Sequence, residues 1–296
     1  MKYLTSKEIS EVWNVSERSV RDYCSKGRVI GAYLEGKTWM IPNNASKPSR
    51  QIRHSKKSKS LLETLKAEKE AGLKGGIYHK LQIEMTYNSN HMEGSKLSHD
   101  ETRFIYETNT IGIENDALKI DDIMETVNHF RCIDLAIDFA KRKLSESFIK
   151  QLHRLLKTNT EDSRKPWFVV GDYKALENLV GNQETVSPGE VKTEMNKLLS
   201  KYLEKDKHTL EEIIEFHVDF ERIHPFQDGN GRVGRLIAFK ECLKNDIVPF
   251  IIFDTKKEFY YRGLKNWNQE RGWLIDTCLD GQDIVKSYLD YFRISY

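Results

Sequence analysis

The sequence has no long apolar run and no closely spaced cysteines. Its longest apolar stretch, residues 247–253, has seven residues, whereas a membrane-spanning helix needs about 20. Its first eight residues lack the apolar core of a signal peptide. The four cysteines lie far apart and form no CxxC pair, which disfavours disulfide scaffolds and zinc ribbons. We therefore expect a cytoplasmic protein with no membrane partner.

Net charge is small as well, but it is unevenly distributed along the chain. The 296 residues hold 47 Lys and Arg against 45 Asp and Glu, a formal charge of +2. Residues 1–60 hold 13 of the basic and 5 of the acidic residues, a net charge of +8, which leaves −6 for the remainder. The length suits about two domains, and the charge difference indicates that the N-terminal one is basic.

Residues 1–42 have the pattern of two short helices followed by a hairpin. A Thr-x-x-Glu capping box at Thr5 opens the first helix. A turn at residues 14–16 leads into the second helix, which is the spacing of a helix-turn-helix. Residues 30–34 and 37–41 flank a Glu-Gly turn and predict a β-hairpin wing.

The rest of the chain is predicted to be mainly helical. Residues 43–60 are rich in Ser, Lys, Asn and Pro, which is typical of a linker. Helical periodicity predicts helices over residues 61–72, 77–92, 120–142, 146–157, 188–204, 209–223, 232–244, 256–270 and 282–294. Two apolar segments, 167–170 and 176–180, predict a small β-hairpin with an exposed edge.

The segment 224–235, HPFQDGNGRVGR, concentrates chemically useful side chains between two predicted helices. Its Gly-Asn-Gly loop allows backbone N–H groups to converge on an anion at a helix N-terminus. Arg232 and Arg235 oppose the helix dipole there, an unfavourable choice unless a polyanion binds. Asp228 suits Mg²⁺ shared with phosphates, and His224 suits general base catalysis.

Other interpretations of this segment are weaker. A β-turn conflicts with the helical periodicity on both flanks. Residues 229–234 fit G-x-G-x-x-G, but a dinucleotide fingerprint needs an apolar strand just before the first glycine. That place holds a proline and two charged residues. An anion-binding loop without catalysis remains an alternative.

The segment resembles the signature of the Fic family, His-x-Phe-x-(Asp/Glu)-Gly-Asn-Gly-Arg-x-x-Arg, and matches every specified position. The resemblance extends over residues 61–296, as a helical region at 61–115 followed by a Fic core at 116–296. It implies a mainly α, helical Fic fold with a hairpin flap. It also implies transfer of AMP from ATP to a Ser, Thr or Tyr hydroxyl of a target protein docked on the flap near 167–180.

The resemblance also implies individual roles. His224 would deprotonate the acceptor hydroxyl, and Asp228 would hold Mg²⁺ on the phosphates. The Doc-type kinases carry Lys where this chain has Gly231, so the glycine favours nucleotidyl transfer. The residues expected to bind ATP are Asp228, Gly229, Asn230, Gly231, Arg232, Gly234 and Arg235.

Upstream, residues 89–94 resemble the family's inhibitory motif, (Ser/Thr)-x-x-x-Glu-(Gly/Asn). Ser89 and Glu93 share a helix face at i, i+4. The resemblance implies that Glu93 pairs with Arg235 and prevents productive seating of the γ-phosphate. In some relatives the same glutamate aligns water for removal of AMP, so a de-AMPylating or bifunctional enzyme is an alternative.

The N-terminal segment resembles excisionase/MerR-like winged helix-turn-helix domains, which implies contact with duplex DNA through Arg18, Ser19 and Arg21. Such DNA readers commonly work as dimers, so a homodimer is possible. A protein-binding or merely solvated basic module is the alternative, and a regulator whose Fic domain only senses nucleotide is another. We expect His153 and His217 to be buried packing residues.

Overall fold

The computed structural model describes residues 2–48, 59–112, 118–180 and 183–296. The chain divides into two compact units, Met1–Lys57 and Ser58–Tyr296. Of the predicted linker, residues 49–58 lie outside the described residues. No helix within the described ranges is both long and apolar enough to cross a membrane.

The first unit combines a helix pair with a three-stranded sheet. Its elements are β1 (Tyr3–Thr5), α1 (Ser6–Trp13), α2 (Glu17–Ser25), β2 (Tyr33–Glu35) and β3 (Thr38–Pro42). The strands are antiparallel in the order β1-β3-β2. The capping box at Thr5 is confirmed, and Asn14 adopts a left-handed conformation in the turn between the helices. The core is formed by Ile9, Trp13, Val20, Cys24, Val29 and Ile41.

Two details of this unit differ from expectation. Strand β1 is not predicted, because three residues before a helix carry too little alternation to signal a strand. The first strand of the wing begins at Tyr33 and not at residue 30. Gly31 has a φ of 80°, and Ile30 is 93% exposed, so the chain is still turning there.

The second unit is mainly helical, as predicted. Its helices are α3 (Leu61–Ala71), α4 (Ile77–Met92), α5 (His99–Thr108), α6 (Ile120–Asp138), α7 (Glu146–Lys157), α8 (Pro188–Leu203), α9 (Leu210–Ile223), α10 (Asn230–Lys244), α11 (Lys257–Lys265) and α12 (Gly272–Phe292). Short 3₁₀ turns lie at Asp162–Arg164 and Asp254–Lys256. Helix α10 is central, because α4, α6, α7 and α9 all pack against it and bury nearly every side.

The sequence misses helix α5 and ten residues of α12. Helix α5 opens with a capping box at Ser98, but it buries only Thr102 and Ile105, so its apolar pattern is faint. Helix α12 begins at Gly272, whereas periodicity predicts a start at residue 282. The extra turns bury Leu274 and Cys278 against a second hydrophobic cluster.

The predicted hairpin is wrong in its boundaries. The segment 167–170 forms no strand, and the paired strands are β4 (Leu179–Val180) and β5 (Gln183–Glu184). The backbone N–H of Lys174 donates instead to the carbonyl of Pro225, at 2.9 Å. The backbone N–H of Lys174 is therefore satisfied by another loop and not by a strand partner.

Candidate functional site

The loop between α9 and α10 has a closed, fixed backbone. Helix α9 ends at Ile223, and the residue that caps it, His224, has a left-handed φ of 51°. The Asn230 side chain accepts from the Phe226 N–H and donates to the Phe226 carbonyl, both at 2.8 Å. Gly229, at φ 81°, precedes the first residue of α10. This closure leaves the N-terminal turn of α10 at the centre of the site, where its N–H groups favour an anion.

His224 is held in one orientation at the end of α9. Its Nδ1 lies 3.4 Å from the carbonyl oxygen of Glu221, which accepts only if Nδ1 carries the proton. Nε2 then has the free lone pair. Burial, the largest effect, lowers the pKa of His224 from its ordinary 6.5, so the ring is neutral at pH 7. A neutral imidazole with Nε2 unprotonated can take a proton from a hydroxyl.

A buried histidine supports the loop from below. The ring of His153 stacks on Phe226 with centroids 4.0 Å apart, and its Nδ1 accepts from the Gly171 N–H at 2.9 Å. Burial lowers the pKa of His153 to about 3. His217 is equally buried and its Nε2 lies 2.6 Å from the Tyr260 hydroxyl. Both histidines pack and position, as the sequence predicts.

The segment that leads into β4 is fastened to the same loop. Besides the Lys174 contact to Pro225, the Asn178 amide donates to the Phe226 carbonyl at 3.1 Å. The Lys174 ammonium donates to Asn178 Oδ1 at 2.7 Å and to Thr185 Oγ1. The two strands β4 and β5 are thus tied to the residues beside His224. Sequence reasoning missed these contacts, because Lys174 and Asn178 follow no local pattern.

Arg232 and Asp228 lie in an ion network that the sequence did not reveal. Arg232 is buried and contacts Glu125 and, at 3.1 Å, Asp228 Oδ2. The Lys157 ammonium also contacts Glu125, at 2.5 Å, and Asp228 Oδ2, at 2.7 Å. Burial raises the pKa of Asp228, but the two cations outweigh it and hold that pKa well below its ordinary value. Lys157 is 71 residues from Asp228 and looks like an ordinary cation in a last helical turn.

Arg235 joins the first turn of α10 to the end of α4. Its Nη2 donates to Glu93 Oε1 at 2.7 Å, and its Nε donates to Ser89 Oγ at 2.9 Å. A Cβ built on Gly231 would lie 2.3 Å from Glu93 Oε1, so the carboxylate rests directly against this turn. The structure therefore brings together Ser89, Glu93, Gly231 and Arg235, which are far apart in the sequence.

Gly234 faces away from this anion site. A Cβ there would lie 2.7 Å from Glu221 Oε1 and 2.8 Å from His217 Nδ1, both on α9. Close packing of α10 on α9 therefore accounts for the glycine without a phosphate contact. Burial raises the pKa of Glu221 to about 8, so its carboxyl group is largely protonated at pH 7.

The free donors of the site fit a polyphosphate, and Asp228 is the carboxylate that could share a Mg²⁺ with it. Arg232 Nε and Arg235 Nη1 are buried without a hydrogen-bond partner in the described part of the chain. Both can therefore donate to a bound ligand. Over the same residues, no three His, Cys, Asp or Glu side chains are arranged to hold a metal. Asp228 alone suits Mg²⁺ only when phosphate oxygens and waters complete the octahedral shell.

The three predicted DNA contacts differ in their surroundings. Arg18 is exposed on α2. Arg21 pairs with Glu17 on the same helix, at 2.6 Å. Ser19 Oγ lies 2.9 Å from the hydroxyl of the helix N-cap residue, Ser16. Both arginines are therefore exposed, whereas Ser19 is partly buried.

Comparison with known proteins connects this site to one family. Residues 143–241 match the model of the Fic/DOC family. The chain is 27% identical over 192 residues to "Protein adenylyltransferase Fic" of Nematostella vectensis, covering 62% of this chain and 42% of that one. It is 26% identical over 212 residues to the protein of the same name from Drosophila grimshawi, covering 69% and 40%. The chain thus spans about two fifths of the length of the curated relatives it matches.

Solved structures share the fold. A Fic domain containing signaling protein from Bacteroides thetaiotaomicron VPI-5482 superposes with a TM-score of 0.61 at 23% identity, over 77% of this chain and 94% of that one. Fic-1 from C. elegans superposes with a TM-score of 0.57 at 19% identity, over 78% of this chain and 72% of that one. At these identities the likeness concerns the fold. The family match thus covers residues 143–241 of the second unit, and the solved structures share the fold of that unit.

We expect the His224 imidazole to titrate with a midpoint below 6.5, with Nδ1 protonated in the neutral form. Because the folded-state pKa is lowered, this group favours unfolding as the pH falls from 6.5 toward the folded-state midpoint. ¹⁵N NMR of ring-labelled protein reports both the midpoint and the tautomer. The His224→Ala variant assigns the signal by its loss. A midpoint above 6.5, or a neutral ring protonated at Nε2, would contradict this geometry.

Proposed function

From the match of residues 143–241 to the Fic/DOC family, we propose that this chain is a protein adenylyltransferase that moves AMP from ATP to a Ser, Thr or Tyr hydroxyl of a target protein. The observation that carries the proposal is the joining of two functions in one loop. A neutral, oriented His224 lies at one end of it, and an anion site with two buried arginines lies at the other. A loop that only bound an anion would have no use for the base.

The geometry supports an in-line displacement at the α-phosphate of ATP. The acceptor oxygen attacks that phosphorus as Nε2 of His224 takes the hydroxyl proton. The bond from the α-phosphorus to the bridging oxygen breaks, and pyrophosphate leaves. The N–H groups of α10 and the Arg232 guanidinium stabilise the charge on the phosphate oxygens. Mg²⁺, held by Asp228, would supply further neutralisation of the phosphates.

The target is proposed to dock on strands β4 and β5. An extended segment can add to a short exposed strand edge through its main-chain hydrogen bonds. The fastening of Asn178 and Lys174 to residues 225–226 would hold that segment at a fixed distance from His224. Leu176 and Leu179 are exposed there, at 47% and 65%, and offer apolar contacts to the target.

Glu93 is proposed to keep the enzyme in a low-activity state. Its carboxylate accepts a hydrogen bond from Arg235 and lies against the N-terminal turn of α10. The outer phosphates of ATP would bind at this turn. A carboxylate and a phosphate cannot share one guanidinium edge without repulsion. A water molecule oriented by Glu93 could also attack the phosphorus of AMP attached to a modified side chain. The bond from phosphorus to the side-chain oxygen would break, releasing AMP and restoring the hydroxyl, so removal of AMP is the second candidate activity.

The first unit is proposed to bind duplex DNA. The support is its surplus of positive charge, the helix pair with a three-residue turn, and the accessible Arg18 on α2. We place the protein in the cytoplasm, because its four cysteines are free and buried. A homodimer would suit two half-sites of DNA.

Replacing Glu93 should release transfer. We expect Glu93→Gly to raise incorporation of α-labelled AMP into protein about 10- to 100-fold, since a charged hydrogen bond is worth about 1.5–3 kcal/mol. His224→Ala in the same background should abolish it. The measurement is label retained on the chain itself and on lysate proteins. Glu270→Gly, which removes a carboxylate from a loop outside the site, is the matched control and should behave as wild type.

The outcomes of this assay separate the candidates. Labelling that survives His224→Ala contradicts the base mechanism. Loss of AMP from pre-modified protein with wild type, but not with Glu93→Gly, identifies the removal activity. No transfer and no removal by any form favours a nucleotide-sensing regulator.

Binding of the full chain to duplex DNA should weaken steeply with salt. Roughly three or more phosphate contacts give a slope of about −3 in log affinity against log salt concentration. Arg18→Ala should weaken binding, whereas Arg103→Ala, an exposed arginine of the second unit, should not. Fluorescence anisotropy with a labelled duplex measures both. A flat salt dependence would remove the DNA interpretation.

A further inference from the structure

Lys157 lies at a point where three carboxylates converge. Its ammonium contacts Glu125 Oε1 at 2.5 Å, Asp162 Oδ2 at 2.8 Å and Asp228 Oδ2 at 2.7 Å. Its side chain is only 2% exposed. A lysine in the last turn of a helix normally extends into solvent, so this buried position is unusual.

The cluster around this ammonium is electrically balanced. Arg232 adds its charge beside Glu125 and Asp228, and Lys165 pairs with the outer oxygen of Asp162 at 2.6 Å. Three carboxylates thus face three cations. A free divalent cation would have to approach Asp228 with Lys157 and Arg232 already on Oδ2, where repulsion between cations is strong.

We propose that Lys157 is a positioning residue that keeps free divalent metal off Asp228, so that Mg²⁺ enters the site only together with nucleotide. This inference rests on the metal role of Asp228 in the proposed function. The Lys157 ammonium pairs with all three carboxylates, so their oxygens are not free to bind a hard cation. ATP brings several negative charges of its own, which restores the balance when the metal arrives.

The exposure of the three carboxylates indicates which of them can leave Lys157 when Mg²⁺ and nucleotide bind. Asp228 is 48% exposed on its side chain, whereas Glu125 is 14% and Asp162 is 23% exposed. Asp228 is therefore the carboxylate that can turn toward solvent and phosphates. Lys157 keeps two carboxylate partners when it does so, and it is not left as an unpaired buried charge.

The test measures binding of Mn²⁺, as a probe for Mg²⁺, to the full chain without any turnover. Electron paramagnetic resonance of free Mn²⁺ gives the affinity with and without a non-hydrolysable ATP analogue. Wild type should show no site below millimolar Mn²⁺ alone and one site with the analogue. Lys157→Met should bind one Mn²⁺ without nucleotide, about tenfold or more tightly than wild type.

Two variants distinguish occupation of the site from a general change in charge. Lys165→Met also removes a cation from Asp162, but at the surface, and should bind Mn²⁺ as weakly as wild type. Adding Asp162→Asn to Lys157→Met should remove the gained site. Circular dichroism checks folding, and Lys157→Gln is the second variant if Lys157→Met does not fold.

The proposal is overturned if wild type binds Mn²⁺ tightly without nucleotide, or if a folded Lys157 variant binds no more tightly than wild type. Equal increases in Mn²⁺ affinity from Lys165→Met and Lys157→Met would also overturn it, because the loss of one positive charge would then explain the effect. None of these readouts depends on AMP transfer, so failure of the proposed activity would be visible separately.

Discussion

Two arginines in the first turn of a buried helix are the constraint on which the rest of the site depends. Arg232 and Arg235 are 3% and 8% exposed, and both lie at the positive end of the α10 dipole. A buried charge without a partner destabilises a fold by several kcal/mol, so the chain must supply anions of its own. Glu125 and Asp228 meet Arg232, and Glu93 meets Arg235. In the proposed function, these carboxylates lie where a polyphosphate would bind.

The two arginines are not held with equal firmness. Glu125 is 14% exposed and shares its carboxylate between Arg232 and Lys157. The Glu93 side chain is 27% exposed, and the residue directly follows the last residue of α4. Its carboxylate oxygen Oε1 contacts Arg235. The Arg235 side is thus the one that can be released without dismantling the core. On this account, inhibition and stability are supplied by different carboxylates, Glu93 at the end of α4 and Glu125 on α6.

The sequence predicts the features whose residues are contiguous, and it misses the features whose residues are brought together only by the fold. The loop from His224 to Arg235 could be predicted because its glycines, its cations and the flanking periodicity occupy one window. Glu93 was found through a resemblance and not from local pattern. The ion network could not be found, since Lys157 and Glu125 reach the site from α7 and α6 across many residues. The hairpin was misplaced because Lys174 pairs its backbone with a distant loop, and no local rule encodes that partner.

Calorimetric titration of wild type and Glu93→Gly with a non-hydrolysable ATP analogue and with ADP tests the central claim most directly. If Glu93 occupies the outer phosphate position on Arg235, its removal strengthens binding of the triphosphate and leaves ADP affinity nearly unchanged. Equal strengthening for both nucleotides, or no change for either, would contradict the claim that this carboxylate stands in for the terminal phosphate.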